Sequence, residues 1–265
     1  MFLYLFLGLV STAFAADADS VYQVVPAVKD VRLTGGEPYV VDGSCVIVCG
    51  SDDAQMRRNA EFLQTYVEQA SGLRLPVVAQ VPKKGKSIRL VTVSELGVEA
   101  YRLTVDGRKR SITVAGGSPR GVFYGVQTLR KTITHSPISL PAAVINDAPR
   151  FAYRAMHLDV CRHFFTVEQV KEYIDILALH NMNTFHWHLT DDQGWRIESK
   201  RYPRLHEIGS QRRHTVIGRN TGLFDDTPHG GYYTQEHLRE VVRYAAERCI
   251  TVIPEVELPG HALAI

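Results

Sequence analysis

The sequence is poor in the features that mark several whole classes of protein. Only four of its 265 residues are cysteine, which is too few for a scaffold held together by disulfides. Its 30 lysine and arginine residues nearly balance 28 aspartate and glutamate residues, and no long run of one sign occurs. The composition therefore argues against a nucleic-acid-binding tail and a basic membrane-surface patch, and no nucleic-acid partner is predicted.

The cysteines are expected to be buried free thiols. Cys45 and Cys49 lie four residues apart on one predicted strand, which separates them by about 13 Å at ~3.3 Å per residue. That separation is too long for a disulfide between them. Packing as a small apolar side chain is a simpler role for each of the four cysteines than forming a disulfide.

Long apolar runs are also scarce, and the only one lies at the N-terminus. Residues 1–15 are almost wholly apolar, end in Ala13-Phe14-Ala15 and are followed by polar residues. This pattern is typical of a secretory signal peptide, although no lysine or arginine precedes the apolar run. No later run approaches the ~20 residues of a membrane-spanning helix. We therefore expect an exported chain without a membrane span, and the periplasm, the extracellular space and a degradative organelle all stay open.

Residues 20–150 are predicted to form an α+β domain. Short alternating strands are interspersed with two helices, of which one is capped by Ser51 and stopped by Gly72, and the other begins at Pro119. Strands and helices in this order indicate a small domain with an antiparallel sheet. The turn-forming residues and the proline within 145–150 mark the end of this domain.

Residues 151–265 follow a different pattern. A strand over 153–160, a helix opened by a Thr166 capping box, and a strand over 183–190 are followed by a long loop. A helix capped by Thr234 and a strand over 250–257 complete the chain. This order is typical of the start of a parallel α/β unit.

Polar residues recur at the same strand positions in all three predicted strands. In a β/α barrel the carboxyl ends of the strands share one rim, where such folds place their chemistry, and the interior is normally filled by valine, isoleucine and leucine. Polar side chains of the same parity therefore indicate a polar site. The residues concerned are His157 and Asp159 on the first strand, His186, His188 and the following Asp191-Asp192 on the second, and Glu255 and Glu257 on the third.

Two other interpretations of these residues stay open. The charged groups could form buried salt bridges that only stabilise the strand ends. His186 and His188 could also ligate zinc in a metal-dependent hydrolase, since two imidazoles would share one strand face. The spacing alone is weak support for a metal site, so neither a metal nor another cofactor is predicted.

Four stretches of the sequence carry a strong resemblance to a known family. The chain resembles the family 20 glycoside hydrolases, the β-N-acetylhexosaminidases, over nearly all of its length after residue 20. The stretches are Gly-Val-Phe-Tyr-Gly-Val-Gln-Thr-Leu-Arg at 121–130, Arg-Ala-Met-His-Leu-Asp-Val-Cys-Arg-His-Phe at 154–164, Phe-His-Trp-His-Leu-Thr-Asp-Asp-Gln-Gly-Trp-Arg at 185–196, and Pro-Glu-Val-Glu-Leu-Pro-Gly-His at 254–261.

The resemblance implies a fold and an activity. The fold is an α+β N-terminal domain over 20–150, followed over 151–265 by the first three β/α units of a truncated TIM (β/α)8 barrel. The activity is exo-acting, retaining hydrolysis of terminal β-linked N-acetylglucosamine or N-acetylgalactosamine. The substrate's own 2-acetamido oxygen is the nucleophile, an Asp orients it, and a neighbouring Glu is the general acid. N-acetylhexosamine-containing oligosaccharides or glycoconjugates are the partners.

The resemblance also implies roles for four residues. Arg162 is expected to bind hydroxyls of the terminal sugar through its forked donors. Asp191 and His261 are expected to form a hydrogen-bonded relay that tunes the general acid. Glu257 is expected to support His261.

The sequence departs from the family in one respect. No Asp-Glu dipeptide occurs in the chain, and residues 153–265 supply only 113 residues of a barrel that usually takes ~250. We therefore expect an incomplete copy of the enzyme that is inactive alone. A non-catalytic carbohydrate-binding or interaction protein is the alternative.

Overall fold

The computed structural model describes residues 20–83, 85–134, 136–219 and 221–265. The predicted signal peptide, residues 1–15, lies outside these ranges. Within them, no helix combines the length and the apolar character that crossing a membrane would require. The four cysteines are all buried and free, as expected.

The first half of the chain folds around one seven-stranded sheet and two helices that pack on it. Its elements are a 3-10 helix at Ser20–Tyr22, strands β1 (Asp30–Leu33), β2 (Tyr39–Val40), β3 (Cys45–Val48), β4 (Val77–Val78), β5 (Lys86–Thr92), β6 (Tyr101–Asp106), β7 (Ser111–Gly116), β8 (Ser139–Leu140) and β9 (Ala143–Asp147), and helices α1 (Ala54–Ser71) and α2 (Pro119–Thr132).

This sheet is mixed, so the expectation of an antiparallel sheet is wrong. Its strand order is β1-β9-β6-β7-β5-β3-β4. The β6–β7 hairpin and both pairings of β9 are antiparallel, whereas β3 runs parallel to β4 and β5, and β5 runs parallel to β7. Parallel neighbours need a crossover connection, and α1 between β3 and β4 supplies one. The alternation within single strands does not show which strands become neighbours.

The helix ends follow local capping chemistry, but one predicted capping residue is wrong. Asp53, not Ser51, caps α1, because its carboxylate accepts the Met56 N–H at 3.0 Å. Gly72 ends that helix in the left-handed conformation, at φ 75°. Pro119 is the first residue of α2, as predicted. Both Ser51 and Asp53 are good N-cap residues, so sequence alone could not separate them.

The second half contains a three-stranded parallel sheet. Its elements are strands β10 (Ala155–Asp159), β11 (Thr184–His188), β12 (Thr190–Asp191), β13 (Gly194–Trp195), β14 (Gln211–Arg212), β15 (His229–Gly230) and β16 (Thr251–Glu255), and helices α3 (Val167–Leu179), α4 (Arg204–Glu207) and α5 (Gln235–Glu247).

Strands β10, β11 and β16 lie side by side in that order. The predicted Thr166 capping box opens α3, and Thr234 caps α5. On β11, Phe185 and Trp187 are buried in the hydrophobic core, so His186 and His188 project from the opposite face. The fold class is therefore confirmed: an α+β domain precedes three parallel strands and two connecting helices of a barrel that is not closed.

A buried arginine fixes the long loop of the second half against the sheet. Arg196 is fully buried and donates to the carbonyl oxygens of Val160, Ser210, Gly231 and Cys161 at 3.1, 2.6, 2.9 and 2.7 Å. Burial lowers the pKa of its guanidinium to about 10. These contacts tie both ends of the 209–233 loop to the segment that follows β10.

Candidate functional site

The candidate site lies at the carboxyl ends of β10, β11 and β16. A cavity of about 1330 Å³ opens there. Its lining includes Arg162, Asp192, Arg212 and Phe224. The long loop therefore contributes one wall, which is a role that the sequence did not assign to it.

Asp191 is the centre of the site. Its side chain is only 1% exposed, and Oδ2 lies 2.8 Å from Arg162 Nη2 and 3.0 Å from His188 Nε2. The other oxygen, Oδ1, lies 3.4 Å from His261 Nδ1. Three residues singled out from the sequence, Arg162, Asp191 and His261, are thus brought into one group.

Local chain geometry positions these side chains. Asp191 follows β11 in the short antiparallel pair β12–β13, which turns the chain directly after the strand. On the neighbouring strand, the Asp159 carboxylate accepts the N–H groups of Cys161 and Arg162 at 2.9 and 3.1 Å. This turn points the Arg162 guanidinium back across the strand ends, where Nη1 donates to Asp159 Oδ2 at 2.8 Å.

Two carboxylates therefore hold the Arg162 guanidinium. Burial by itself raises the pKa of Asp159, but the backbone N–H groups and Arg162 outweigh it, so the pKa is lowered. Burial by itself lowers the pKa of Arg162, and the hydrogen bond and charge of Asp159 reverse that effect, so the pKa is raised. Both groups are charged at neutral pH.

His261 sits on the solvent side of Asp191. Its side chain is 59% exposed, and Nδ1 lies 3.4 Å from Asp191 Oδ1 and 3.8 Å from Asp192 Oδ2. The Leu263 N–H donates to Asp192 Oδ1 at 3.1 Å, which anchors the segment that carries the imidazole. A carboxylate against one ring nitrogen can fix the tautomer and so present the other nitrogen for proton transfer.

Among the described residues, the side chains of Glu257 and His261 share no hydrogen bond or ion pair, so the expected support of His261 by Glu257 stays a prediction. The Glu257 N–H donates to Thr190 Oγ1 at 2.8 Å, and its carboxylate lies within 4.8 Å of ligand atoms of His188 and Glu255. Glu257 is two residues beyond Glu255 and keeps the same face. His261 lies further along, past the strand end, with a left-handed backbone at φ 52°.

The sequence missed how two other side chains take part. His188 was considered as a polar residue of the strand and as a possible zinc ligand, but not as a partner of Asp191; it joins Asp191 to Glu255, with Nδ1 3.2 Å from Glu255 Oε2. Asp159 was likewise noted because it shares a strand face with His157, and not as a partner of Arg162. The signal that pointed to both was the shared parity of polar residues on adjacent strands.

The site can bind and orient a polar ligand. Arg162 offers forked donors suited to hydroxyl or carboxylate oxygens, and Asp191 with His261 can move a proton at the exposed imidazole. An Asp-Glu dipeptide is absent from the sequence, so this arrangement does not include the neighbouring acid that the family pattern pairs with it.

Comparison with known proteins agrees with this architecture. Residues 151–265 match the family model for the glycosyl hydrolase family 20 catalytic domain, and residues 21–148 match that for glycosyl hydrolase family 20, domain 2. A beta-hexosaminidase of Porphyromonas gingivalis is 39% identical over 239 residues, which cover 86% of this chain and 29% of that protein. One from Vibrio furnissii is 42% identical, over 84% of this chain and 36% of that protein.

Solved structures show the same likeness. The GH20 beta-N-acetylhexosaminidase from Streptomyces coelicolor A3(2) superposes with a TM-score of 0.79 at 36% identity, covering 92% of this chain and 48% of that chain. A mutant Streptomyces plicatus beta-hexosaminidase in complex with product (GlcNAc) gives 0.78 at 37% identity, covering 92% and 47%.

This chain spans less than half the length of each of these proteins. The two family models nonetheless match 21–148 and 151–265 in the order that the fold shows. The chain therefore belongs to glycosyl hydrolase family 20, with that family's domain 2 followed by part of its catalytic domain.

Proposed function

We propose that this chain is part of an exo-acting β-N-acetylhexosaminidase. The reaction is the retaining hydrolysis of terminal, non-reducing β-linked N-acetylglucosamine or N-acetylgalactosamine, assisted by the 2-acetamido group of the substrate. The observation that carries the proposal is the contact of Arg162 and His261 with the buried Asp191 carboxylate at the strand ends. Family membership and the GlcNAc product in a related structure support it.

Each of these residues has a distinct role in the proposed reaction. Arg162 donates to hydroxyls of the terminal sugar, and Asp159 and Asp191 hold its guanidinium in place so that little side-chain entropy is lost on binding. Asp191 orients and polarises His261. The imidazole then adjusts the proton affinity of the general acid beside it.

The general acid is proposed to come from a further part of the barrel. Three parallel strands form an open sheet here, whereas a closed barrel of this type has eight. An Asp-Glu pair at the end of a later strand would meet His261 at the common rim. We therefore propose that residues 1–265 alone do not turn over substrate.

The test compares this chain with the longer protein read from the source DNA. We expect no release of nitrophenol from 4-nitrophenyl N-acetyl-β-glucosaminide by the 265-residue chain, and clear release by the longer protein. In the longer protein, Arg162→Ala should lower kcat/KM about 100-fold, which corresponds to one charge-assisted hydrogen bond. Arg201→Ala is the control, because Arg201 is exposed and outside the cavity lining.

Two results would contradict the proposal. Full activity of the Arg162→Ala enzyme would show that Arg162 does not bind the substrate. An inactive longer protein that nonetheless binds N-acetylglucosamine would favour the non-catalytic carbohydrate-binding alternative.

We also propose that the protein is exported. The apolar residues 1–15 and the Ala-Phe-Ala pattern at 13–15 support cleavage after Ala15. N-terminal sequencing of the protein from the culture fluid or periplasm should begin at Ala16. A protein that keeps Met1 and stays with the cytoplasmic fraction would contradict export.

A further inference from the structure

Three histidines and one glutamate form a compact group on the sheet face opposite Phe185 and Trp187. This histidine cluster consists of His157, His186, His188 and Glu255. His157 pairs with His186 across β10 and β11, and His188 pairs with Glu255 across β11 and β16. The ring centroid of His157 lies 4.8 Å from that of His186 and 5.4 Å from that of His188. Three separate strands thus contribute to one group.

The potential donor atoms are spaced like the ligands of a small metal ion. His157 Nε2 lies 3.2 Å from His188 Nδ1 and 3.4 Å from Glu255 Oε2, and the latter two atoms lie 3.2 Å apart. Nitrogen and oxygen ligands lie ~2.0–2.1 Å from tetrahedral Zn²⁺, which places any two of them about 3.3–3.4 Å apart. This triangle therefore already has the required dimensions.

The tautomer of His188 suits a ligand. Its Nε2 lies 3.0 Å from the Thr190 carbonyl oxygen and 3.0 Å from Asp191 Oδ2, and both oxygens are acceptors. The proton of the neutral ring therefore sits on Nε2, and the Nδ1 lone pair faces the cluster. A ligating histidine typically donates its other N–H to a carboxylate or a backbone carbonyl in this way.

Glu255 brings a negative charge to the same point. Its Oε2 is buried and receives no aligned hydrogen bond, although His186 Nε2 is 2.7 Å away. This oxygen and His188 Nδ1 are two acceptors 3.2 Å apart, an arrangement that a cation between them stabilises.

We propose that the histidine cluster binds one divalent transition-metal ion, of which Zn²⁺ fits best. His157 Nε2, His188 Nδ1 and Glu255 Oε2 are three ligands, and His186 Nε2 becomes the fourth after a small outward shift. Imidazole and carboxylate donors in tetrahedral arrangement favour Zn²⁺ over Mg²⁺ or Ca²⁺. The ion connects β10, β11 and β16. Asp191 is not a ligand itself but accepts a hydrogen bond from the ligand His188.

This site extends the zinc site considered on sequence by adding ligands from two neighbouring strands. That hypothesis paired His186 with His188, two residues apart on one strand, and the sequence prediction was of no metal. In the structure, the His157, His188 and Glu255 triangle takes one atom from each of three strands. The proposal does not depend on the hydrolase activity, because Arg162 and His261 are not among the ligands.

The test titrates Zn²⁺ into the full, tag-free chain by calorimetry with the cysteines kept reduced. We expect one ion per chain, an increase in Tm on binding, and intense visible bands of tetrahedral coordination when Co²⁺ replaces Zn²⁺. His157→Gln and Glu255→Gln should each weaken binding at least about tenfold. His214→Gln is the control, because His214 is an exposed histidine outside the cluster, and should bind as the parent does.

Two results would overturn the proposal. One is the absence of stoichiometric Zn²⁺ binding by the parent chain. The other is equal affinity in the parent and in His157→Gln, which would place any bound ion on the cysteines or on other histidines. Circular dichroism checks that each variant is folded. The His157 side chain is 45% exposed, so His157→Gln is expected to fold. This variant therefore tests the proposal even if Glu255→Gln does not fold.

Discussion

Asp191 Oδ2 lies 2.8 Å from Arg162 Nη2 and 3.0 Å from His188 Nε2, so one buried carboxylate oxygen joins the candidate sugar site to the histidine cluster. The side chain of Asp191 is 1% exposed. A buried charge of this kind is stable only while its partners surround it. The same residue therefore serves both the geometry of the site and the stability of the strand ends.

Asp191→Asn is predicted to destabilise the chain by about 3 kcal/mol, because it leaves the Arg162 and His188 donors without their anionic partner. Urea unfolding at pH 7 measures the change. Asp192→Asn is the control, since its side chain is 28% exposed and its His261 contact is 3.8 Å long, and it should cost less than about 1 kcal/mol. Equal costs for the two variants would contradict the central position of Asp191.

Arg196→Met is predicted to cost at least about 3 kcal/mol, because it removes the donor shared by four backbone carbonyls. The acceptors of the Arg196 guanidinium are backbone carbonyls, so the effect comes from them. The exposed Arg201→Met should stay within about 0.5 kcal/mol of the parent. Denaturant unfolding, with limited proteolysis of the 209–233 loop, measures both. A protease-resistant loop in Arg196→Met would contradict this role.

The parts of the fold that were predicted correctly depend on local signals. The Thr166–Gln169 capping box requires only residues three positions apart, and strand alternation requires only neighbours two positions apart. The parallel pairings of β3 and β5 were missed because they depend on crossovers that bring distant segments together. Single-strand patterns carry no information about that choice.

The candidate site shows the same difference between features that local sequence signals predict and features that depend on distant contacts. Strand parity correctly indicated that polar residues of three strands share a face, and it led to His188 and Glu255. Asp191 was singled out by its place directly after β11 and by the family resemblance. The partners of Arg196 could not be predicted, because its acceptors are backbone carbonyls, which carry no signature of residue type. The position of His261 relative to Glu257 depends on the path of the chain beyond β16, which periodicity does not describe.

Glu99 is predicted to give the two halves of the chain a pH-dependent link. Its Oε2 accepts from Arg154 Nη1 at 2.9 Å. Burial raises the pKa of Glu99, but Arg154 and Asn183 outweigh it, so the folded pKa is lowered. A carboxyl whose pKa is lowered on folding stabilises the fold above its unfolded pKa and loses that contribution as the pH falls through the folded pKa.

The measurement follows the urea midpoint of the parent and of Glu99→Gln from pH 7 to pH 3. The parent should be the more stable at pH 7, and the difference should shrink as the pH falls below ~4.5, the range in which an unperturbed glutamate titrates. Glu95→Gln, an exposed neighbour, should track the parent throughout. A constant difference between parent and Glu99→Gln would show that the carboxyl is not perturbed by folding.

Gly231→Ala is predicted to destabilise the second half by about 1–3 kcal/mol. Gly231 has φ 145°, and an added Cβ would come within 2.4 Å of the Phe164 ring. That ring packs on Tyr233 with centroids 4.9 Å apart, so it cannot move away freely. The Gly231 carbonyl also accepts from Arg196 at 2.9 Å, so a backbone shift there would disturb the anchor of the loop.

Gly43→Ala provides the comparison for this prediction. A Cβ at Gly43 would meet no atom within 4 Å, and Gly43 is not among the positive-φ residues. Its replacement should be neutral or stabilise by up to about 1 kcal/mol, because alanine restricts the unfolded chain. Urea unfolding of the two variants measures the contrast. If Gly231→Ala were as stable as Gly43→Ala, Phe164 would not be fixed against the loop.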